Sequence, residues 1–369
     1  MRRLRRGSGL SCLALVTDAF GGTGGIAQYN CDCLAALAAS PEFSAIAVLP
    51  RNPGEPVSPP ERITQTRPRR GRLRYALGAV AMALRCQPDL VFCGHLHLAP
   101  LAAAIARFSR ARLIVQTHGI EVWAAPSRLR RVAVEAADLV LSVSRHTRAA
   151  VLAWAEMPPE RVVVVPNTVG DIFTPGDGAA LRRAWGLAAN RVLLTVGRLE
   201  ARERYKGHDR VIEGIPELVA RGHDIAYVVI GDGDDRPRLI AVARRFEVAE
   251  RVRFVGPATP ETLVEAYRMA DLFVMPSTGE GFGIAFLEAM ACGTPALGLA
   301  VGGACDALAD GELGTALGRE DDLAAAIDLL LTGPRPGPQS LADRTRARFG
   351  REAFAARLRL AVERVCPPA

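Results

Sequence analysis

Residues 272–295 read LFVMPSTGEGFGIAFLEAMACGTP and combine an apolar run, a glycine-rich loop and an apolar segment prone to form a helix. The run Leu272–Met275 predicts a buried strand, and a helix is predicted to begin near Gly283. Glu280 lies in the loop and Glu288 on the helix. A carboxylate among apolar residues costs free energy unless it is hydrogen-bonded, so both glutamates are candidates for binding a hydroxylated ligand; the alternative is a buried structural carboxylate.

The same order of strand, loop and helix recurs along the whole chain. Apolar, β-prone runs alternate with helical stretches and lie at residues 10–16, 45–49, 90–93, 113–116, 139–142, 161–165, 192–196, 225–230, 252–255, 272–275 and 295–299. This alternation predicts parallel sheets built from βαβ units. The runs are more than one doubly wound sheet usually needs, so we predict two Rossmann-like α/β domains that divide near residue 170.

Proline and glycine punctuate this pattern. The stretch 50–60 holds five prolines and 333–338 alternates Gly and Pro around one Arg, so both predict irregular surface loops. The second loop isolates a terminal helix predicted from Leu341 to Val365. We therefore predict a first domain at 1–170, a second at 171–340 and a C-terminal helical segment at 341–369.

The composition excludes several classes of protein. Of 369 residues, 49% are apolar and 23% charged, which suits a globular α/β protein and excludes disordered and fibrous chains. Gly, Pro or His interrupt the longest charge-free runs, 90–106 and 289–305, so no bilayer-spanning helix is predicted.

The N-terminal MRRLRR precedes only a short apolar segment without a cleavage site, and we interpret that segment as a cytosolic strand. Eight scattered cysteines without Cys-x-x-Cys spacing argue against a disulfide framework and for a reducing compartment.

Positive charge is concentrated in the first half of the chain. Residues 1–170 hold 21 Arg against 11 acids, whereas residues 171–369 hold 25 Arg and Lys against 28 acids. The basic half is therefore expected to seek an anionic surface. Five arginines lie between Arg67 and Arg74, and an apolar, helix-prone run continues to Arg85. This stretch predicts either a helix on an anionic membrane surface or an ordinary domain helix with a solvated basic end.

One lysine stands among the 46 cations, and it follows a strand that ends in glycine and arginine. Arg198 lies at the carboxyl end of the predicted strand 192–196, and Lys206 opens the next helix. Both would converge on a diphosphate at the edge where open α/β sheets bind ligands, unless they are simply solvated cations.

Two glycines near the N-terminus mark a second candidate for phosphate contact. Gly24 and Gly25 end a loop after the first strand and precede a helix predicted at 27–39. Backbone N–H groups at a helix N-terminus attract anions, although a tight turn alone also recruits glycine. The loop lacks the G-x-G-x-x-G spacing of a dinucleotide fingerprint.

Two patterns superficially suggest metal binding. Cys93, His95 and His97 alternate at a strand end and would share one face if the strand continued, which suits zinc; packing or lining a cleft is the alternative we favour. Asp232-Gly233-Asp234 has the form of an Asp-x-Asp metal motif, but it lies in a glycine-rich turn after a strand. We expect a metal at neither position.

Together these residues resemble retaining nucleotide-sugar glycosyltransferases of GT-B fold, glycosyltransferase family four, also called the group 1 family. The resemblance covers residues 10 to about 300, in the expected order, and Glu280–Gly293 is its most specific part. The matching features are Gly24-Gly25, Thr117-His118-Gly119, Pro166-Asn167, Gly197-Arg198, Lys206-Gly207, Ile230-Gly231-Asp232-Gly233, and the Glu280-Gly281-Phe282-Gly283 segment with Glu288. The GT-B fold implies two Rossmann-like domains facing a central cleft, an N-terminal one for the acceptor and a C-terminal one for the nucleotide sugar. It also implies that the segment 341–369 packs back toward the N-terminal domain.

The resemblance also implies a role for each matching residue. Arg198 and Lys206 would hold the donor diphosphate and stabilise the leaving nucleotide, Glu288 would bind the ribose, and Glu280 the donor sugar, with Gly281, Phe282 and Gly283 beside it. His118 would contact the sugar or position it, and the Gly24 and Gly25 amides would touch the distal phosphate. The spacing from Arg198 to Lys206 is longer than in short family members, as if residues around 201–204 were inserted.

The predicted function is therefore that of a retaining, metal-independent hexosyltransferase without a cofactor. It would use a GDP- or UDP-linked donor, with GDP-mannose one candidate, and a lipid-linked or saccharide acceptor of cell-surface polysaccharide or glycolipid synthesis. We predict a cytoplasmic protein, peripheral on the inner membrane, and no nucleic-acid partner. The alternatives are an NAD-binding Rossmann oxidoreductase, a catalytically silent sugar-nucleotide-binding protein, and a glycoside hydrolase. On one helix, Glu280 and Glu288 would lie about 12 Å apart, too far for a hydrolase pair.

Overall fold

The protein is described by a computed structural model that covers residues 9–55, 57–188 and 190–367. The N-terminal MRRLRR lies outside these residues. The chain forms two compact units. One unit runs to Thr168 and resumes at Arg351, and the other spans Val169–Gly350.

The first unit is built on a seven-stranded sheet in which every strand pair is parallel. Its strands are β1 (Leu10–Val16), β2 (Phe43–Pro50), β3 (Ile63–Gln65), β4 (Leu90–Cys93), β5 (Arg112–Thr117), β6 (Leu139–Ser142) and β7 (Val162–Val164). They lie in the order β3-β2-β1-β4-β5-β6-β7, which is that of a doubly wound sheet. Strands such as β4 are buried along their whole length, as continuous apolar runs in parallel sheets require.

Helices connect these strands and supply the apolar layers around the sheet. They are α1 (Gly25–Ala39), α2 (Arg72–Cys86), α3 (Ala99–Ser109), α4 (Ile120–Trp123), α5 (Arg128–Glu135) and α6 (Arg145–Trp154). A core cluster includes Leu13, Val91 and Val115 from neighbouring strands, together with Ala79 of α2 and Ala102 of α3.

The second unit repeats the architecture with a six-stranded parallel sheet. Its elements are α7 (Ala179–Ala184), β8 (Arg191–Val196), α8 (His208–Ala220), β9 (Ile225–Ile230), α9 (Arg236–Arg245), β10 (Val252–Gly256), α10 (Pro260–Met269), β11 (Leu272–Met275), α11 (Ile284–Ala291), β12 (Ala296–Leu299), α12 (Ala304–Ala307), β13 (Thr315–Leu317), α13 (Leu323–Thr332) and α14 (Pro338–Phe349). The strand order is β10-β9-β8-β11-β12-β13. The order reverses between β8 and β11, and open α/β sheets bind ligands at the carboxyl ends of strands at such a point.

The predicted fold class is confirmed. Each of the eleven apolar runs listed above overlaps a strand, and both sheets are parallel. The structure adds β3 and β13, which the sequence did not indicate. They read ITQ and TAL, so neither contains the apolar run by which the other strands were predicted.

The prediction of one terminal helix over Leu341–Val365 is wrong. Two helices occupy this segment: α14, which belongs to the second unit, and α15 (Arg351–Glu363), which belongs to the first. Gly350 separates them in an extended conformation, and its N–H bonds the Arg346 carbonyl oxygen to close α14. The second unit therefore reaches Gly350 rather than residue 340.

The helix α15 packs on α1 within the first unit. The ring of Phe354 meets that of Tyr29 edge to face, with centroids 5.6 Å apart. The eight cysteines all lie within the described residues, and none of them forms a disulfide there. Within the described residues, no helix combines the length and the apolarity needed to cross a bilayer.

Candidate functional site

Arg198 follows β8 at the carboxyl edge of the second sheet, and a short 3-10 helix, Ala201–Lys206, returns the chain to α8. The backbone beside Arg198 is tightly packed. Gly231 has a φ of +135°, and a Cβ atom there would lie 1.9 Å from the Gly197 carbonyl oxygen. Only glycine therefore fits where the loop after β9 crosses the strand end that presents Arg198.

The turn that carries Lys206 is fixed by loops on both sides. Asp234 accepts a hydrogen bond from the Ala201 N–H at 2.6 Å, and Arg204 donates to Asp235 at 2.8 Å. The Tyr205 carbonyl oxygen accepts from the Thr278 N–H at 2.7 Å. The turn is thus tied both to the loop after β9 and to the loop that leads to Glu280.

The Asp232-Gly233-Asp234 motif has a structural explanation in these contacts. Asp234 caps the turn through Ala201, and Asp232 lies 3.7 Å from the Arg236 guanidinium. Over the part of the chain that the structure describes, His, Cys, Asp and Glu side chains form no group of three or more that is arranged to hold a metal ion.

Arg198 and Lys206 meet at a carboxylate that we did not single out from the sequence. Glu203 accepts a hydrogen bond from Arg198 Nη2, and its Oε2 lies 3.7 Å from Lys206 Nζ. The Glu203 side chain is only 6% exposed, whereas that of Arg198 is 61% exposed. The structure therefore brings the two predicted cations together around one buried anion.

Glu280 lies beside this group, in the loop between β11 and α11. Protein encloses its carboxyl group although the residue keeps some exposed surface. Burial raises the pKa of Glu280, Glu203 raises it further, and Lys206 and Arg198 oppose the rise. Its Oε2 is buried with no hydrogen-bond partner among the described residues. An unpaired buried carboxylate oxygen is costly, so this atom is poised to accept from a ligand.

The backbone of the Glu280 loop rests on the loop after β12. The Gly303 N–H donates to the Glu280 carbonyl oxygen at 2.7 Å, and a Cβ on Gly303 would lie 2.0 Å from the Gly281 oxygen. Phe282 is buried against Phe349, and Gly283 precedes α11 with a φ of +99°. The predicted Glu-Gly-Phe-Gly segment is thus held on both of its sides.

Glu288 lies on α11 and occupies a different neighbourhood from Glu280. Tyr267 on α10 donates its hydroxyl hydrogen to Glu288 Oε2 at 2.6 Å. Burial raises the pKa of Glu288 to about 7, against the opposing effect of this hydrogen bond. Tyr267 stays protonated, because burial and the nearby carboxylate raise its own pKa.

The remaining predicted residues belong to the first unit. Gly24 has a φ of +89° and precedes α1, which begins at Gly25 rather than at the predicted residue 27. A Cβ on Gly24 would meet no described atom within 4 Å, so the space around this backbone is open. The free N–H groups of the first turn of α1 therefore remain accessible to an anion.

His118 follows β5 and is held by three contacts. Its Nε2 hydrogen-bonds the Gly94 carbonyl oxygen at 2.9 Å, its backbone N–H bonds the Glu121 carboxylate, and its ring meets Tyr29 edge to face. Burial lowers the pKa of His118, so the ring is neutral at pH 7. Tyr29 lies on α1, which links His118 to the helix that begins at Gly25.

The expectation that Cys93, His95 and His97 share one face is wrong. The strand ends at Cys93, whose thiol is buried in the core and donates to the His95 carbonyl oxygen. His95 caps a short 3-10 helix, and its Nδ1 lies 3.0 Å from that of His97. Burial lowers the pKa of His95 to about 4, which keeps this close pair neutral.

Sequence reasoning missed two partners of the candidate residues. Glu203 stands three positions before Lys206, a spacing that brings side chains together in a helical turn, so a local signal was present. Tyr267 precedes Glu288 by 21 residues and sits on another helix. Nothing local in the sequence connects that pair.

Comparisons with known proteins decide the family. Residues 23–170 match the family described as Glycosyltransferase Family 4, and residues 179–354 match the one described as Glycosyl transferases group 1. The chain belongs to glycosyltransferase family 4. Its fold is GT-B, as the motifs of this family implied.

Two glycosyltransferases share part of the sequence. The chain is 35% identical over 255 residues to the GDP-mannose-dependent alpha-(1-6)-phosphatidylinositol monomannoside mannosyltransferase of Mycolicibacterium smegmatis; the match covers 64% of this chain and 65% of that protein. It is 38% identical over 213 residues to the D-inositol 3-phosphate glycosyltransferase of Geodermatophilus obscurus, covering 54% of this chain and 47% of that protein. The matches thus span about half to two thirds of these relatives.

Solved structures of glycosyltransferases share the fold. HepE from Anabaena, crystallised with UDP, matches with a TM-score of 0.76 at 22% identity, over 96% of this chain and 100% of that one. Sucrose-phosphate synthase from Thermosynechococcus elongatus has the same TM-score and identity, over 96% and 99% of the two chains. At this identity the likeness supports the GT-B fold alone.

Proposed function

We propose that the protein is a retaining hexosyltransferase that uses a nucleotide-sugar donor. The observation that carries the proposal is that Glu280 Oε2 is buried and has no hydrogen-bond partner among the described residues. The positive charges of Arg198 and Lys206 act on the same carboxyl group. A cation pair suits the diphosphate of such a donor, and an unsatisfied carboxylate suits a hydroxyl of its sugar. Membership of family 4 supports the same assignment.

The chemistry follows from where charge develops when the bond between the sugar and the diphosphate breaks. Negative charge grows on the departing diphosphate, and Arg198 and Lys206 are placed to stabilise it. We propose that this pair serves in place of a divalent cation and that the anomeric configuration is retained. No cofactor is then required.

The remaining candidate residues orient the donor. Glu288, on its own helix and apart from the cations, would accept hydrogen bonds from the ribose hydroxyls, while Glu280 binds the sugar. For the first unit we propose that the open amides at Gly24 and Gly25 bind a phosphate group and that neutral His118 binds a sugar.

The name of one relative specifies its donor. One is a GDP-mannose-dependent mannosyltransferase that acts on a phosphatidylinositol mannoside, and several others are named as inositol 3-phosphate glycosyltransferases. We therefore propose GDP-mannose as the first donor to test, with UDP-linked sugars second. The proposed acceptor is a lipid-linked sugar or a saccharide in the synthesis of surface polysaccharide or glycolipid.

We also propose that the protein contacts an anionic membrane through the stretch from Arg67 to Arg85, on its cytoplasmic face. The helix α2 buries one side, including Tyr75 and Ala79, and leaves apolar side chains on the other. The exposed residues are Leu73, Leu77, Val80 and Leu84, with Leu73 and Leu77 exposed by 73% and 62%. Their spacing places them along one stripe of the helix, as in helices that lie in a membrane interface.

Arginines adjoin this stripe at its N-terminal end. Arg67, Arg69, Arg70 and Arg74 line an open pocket of about 440 Å³, together with Thr66 and Pro68. The Arg69 side chain folds over α2, so that a Cβ at Gly78 would lie 2.4 Å from its Cδ. Four guanidinium groups beside an exposed apolar stripe match the phosphates and acyl chains of an anionic lipid surface.

Binding of the donor is the direct test. The purified protein is titrated in EDTA with GDP, UDP, GDP-mannose, UDP-glucose and NAD, and its thermal unfolding is followed. A ligand at 100 times its dissociation constant adds about 2.7 kcal/mol to the free energy of unfolding, so binding is readily detected. We expect stabilisation by one nucleotide and by the matching nucleotide sugar, and not by NAD.

Matched variants connect binding to transfer. Lys206→Ala or Arg198→Ala is expected to reduce kcat at least about tenfold, because each removes a charged hydrogen bond of about 1.5–3 kcal/mol to the leaving group. Arg202→Ala is the control, since Arg202 lies in the same turn but is exposed and pairs with Glu200. Turnover near wild type in Lys206→Ala, or stabilisation by NAD alone, would contradict the proposal.

A further inference from the structure

Glu203 has no part in the proposed transfer, yet it is the anion on which both cations of the donor site converge. Its carboxylate accepts from Arg198 Nη2 and lies 3.7 Å from Lys206 Nζ. A buried charge of this kind is costly unless it is paired. Its position between two residues that would bind phosphate therefore calls for a functional explanation.

The turn that carries Glu203 is held independently of those cations. Asp234 caps Ala201, Asp235 binds Arg204, and the Tyr205 carbonyl oxygen accepts from Thr278. The Glu203 side chain is 6% exposed and is therefore confined by its surroundings. It offers a fixed point of attachment, whereas Arg198, at 61% exposed, would otherwise sample many rotamers.

We propose that Glu203 is a positioning residue that fixes Arg198 and Lys206 for the donor diphosphate. The inference rests on the proposed function and concerns the same site. Arg198 has five N–H donors in a planar fork, and one bond to Glu203 leaves four of them for a ligand. Lys206 has three N–H donors and is only 15% exposed, so its ammonium group is confined beside the same carboxylate. The turn between Arg198 and Lys206 thus supplies the group that aligns them.

The alternative is that Glu203 only balances charge. The two roles predict changes of opposite sign in the affinity for a diphosphate when Glu203 is neutralised. If Glu203 acted as a negative charge alone, its removal would leave the site more positive and would tighten the binding of an anion. If it positions the cations, its removal frees two long side chains, and diphosphate binding must then order them again. Positioning therefore predicts weaker binding after neutralisation.

The decisive comparison is between Glu203→Gln and Glu200→Gln. Glu200 lies next to the same turn, and its side chain pairs with Arg202 at 3.2 Å rather than with Arg198 or Lys206. Dissociation constants of GDP and UDP are measured by calorimetry in EDTA. We expect Glu203→Gln to bind at least about tenfold more weakly than wild type, with kcat reduced, and Glu200→Gln to match wild type.

Glu203→Asp separates positioning from a loss of folding. It keeps the charge but is one methylene shorter, so it is expected to recover part of the affinity lost in Glu203→Gln. A melting temperature close to that of wild type shows that the variants are folded. Affinity equal to or tighter than that of wild type in Glu203→Gln would overturn the inference.

The single lysine provides a spectroscopic signature that needs no activity. Protein grown with lysine labelled with ¹³C at Cε gives one NMR signal, that of Lys206. We expect this signal to move in free Glu203→Gln and to stay in place in Glu200→Gln; an unchanged signal in Glu203→Gln would contradict the pairing. If the wild type binds neither nucleotide, the proposed function fails and this inference fails with it. If the wild type binds a nucleotide and Glu203→Gln binds it with equal or higher affinity, only the inference fails.

Discussion

Burial raises the pKa of Glu288 to about 7, so its ionisation falls in the range in which nucleotide binding is measured. If Glu288 binds the ribose hydroxyls as a carboxylate, only its ionised form is competent. Glu288 is ionised in about one tenth of the molecules at pH 6 and in about nine tenths at pH 8. Apparent affinity scales with the competent fraction, so nucleotide affinity is expected to rise about tenfold between these values. Calorimetry across this range measures it.

Glu288→Gln supplies the control for this prediction. The amide still accepts a hydrogen bond but does not ionise, so binding is expected to be weaker and nearly independent of pH from 6 to 8. Proton release on binding, measured in buffers of different ionisation enthalpy, should vanish in the variant. Affinity in the wild type that is flat or falls with rising pH would exclude a carboxylate acting on the ribose.

Single residues also show which parts of the candidate site could be identified from the sequence. Glu280 and Glu288 were found because a carboxylate in an apolar or glycine-rich segment has few explanations, and Lys206 because it is the one lysine in the chain. Their partners were harder to find. Tyr267 reaches Glu288 from another helix, and its hydroxyl raises no local signal. Only the fold brings such pairs together.

The loop between β9 and α9 supports the strand end that carries Arg198, and Gly231 is the position where the two meet. Gly231→Ala would place a Cβ 1.9 Å from the Gly197 oxygen. The backbone must then shift, at a cost of about 1–3 kcal/mol beyond the 1–2 kcal/mol of a positive φ. We expect a lower free energy of unfolding in urea and weaker nucleotide binding.

Gly222→Ala is the matched control for that element. Gly222 also has a positive φ, +92°, but a Cβ there would meet no described atom within 4 Å. It should therefore show the backbone cost of about 1–2 kcal/mol without the clash. Equal losses of stability in the two variants would mean that the close approach at Gly231 has no role.

Helices and strands were predictable to the extent that their signals were long. Runs of four to seven mostly apolar residues predicted eleven strands. The strands β3 and β13 read ITQ and TAL, so neither contains such a run. The break between α14 and α15 was missed because Gly350 is a single residue in a helical pattern. A lone glycine is tolerated within many helices, so the break depends on the packing of the two helices on different units.

At the scale of the whole molecule, the sequence motifs identified the family but not the substrates of this protein. Phosphate, ribose and sugar groups are shared by many nucleotide sugars, so the residues that bind them form a pattern that sequence reveals. The base and the acceptor are recognised by loop shape, which depends on packing between distant segments. The uneven charge of the two halves adds a property of the whole chain, and it bears on the proposed membrane contact.

The membrane contact predicts binding of the intact protein to anionic vesicles through α2. We expect co-sedimentation with vesicles of phosphatidylglycerol and phosphatidylcholine, and little with phosphatidylcholine alone, because several arginines each contribute about 1 kcal/mol near an anionic surface. Raising the salt concentration should weaken it. Leu77→Glu is expected to reduce partitioning at least about tenfold, since it removes the burial of a leucine worth about 1.5–3 kcal/mol and adds a repelled charge.

Leu329→Glu makes the same change on an exposed leucine of α13 in the other unit, at 70% exposure, and should leave vesicle binding unchanged. Nucleotide binding should be unaffected in both variants, since both side chains are exposed and lie on helices that carry none of the candidate donor residues. If Leu77→Glu and Leu329→Glu sediment alike, the apolar stripe of α2 does not enter the membrane. If neutral vesicles bind as well as anionic ones, the arginine pocket does not select phosphate. The two results would contradict separate parts of the contact, the first its apolar part and the second its electrostatic part.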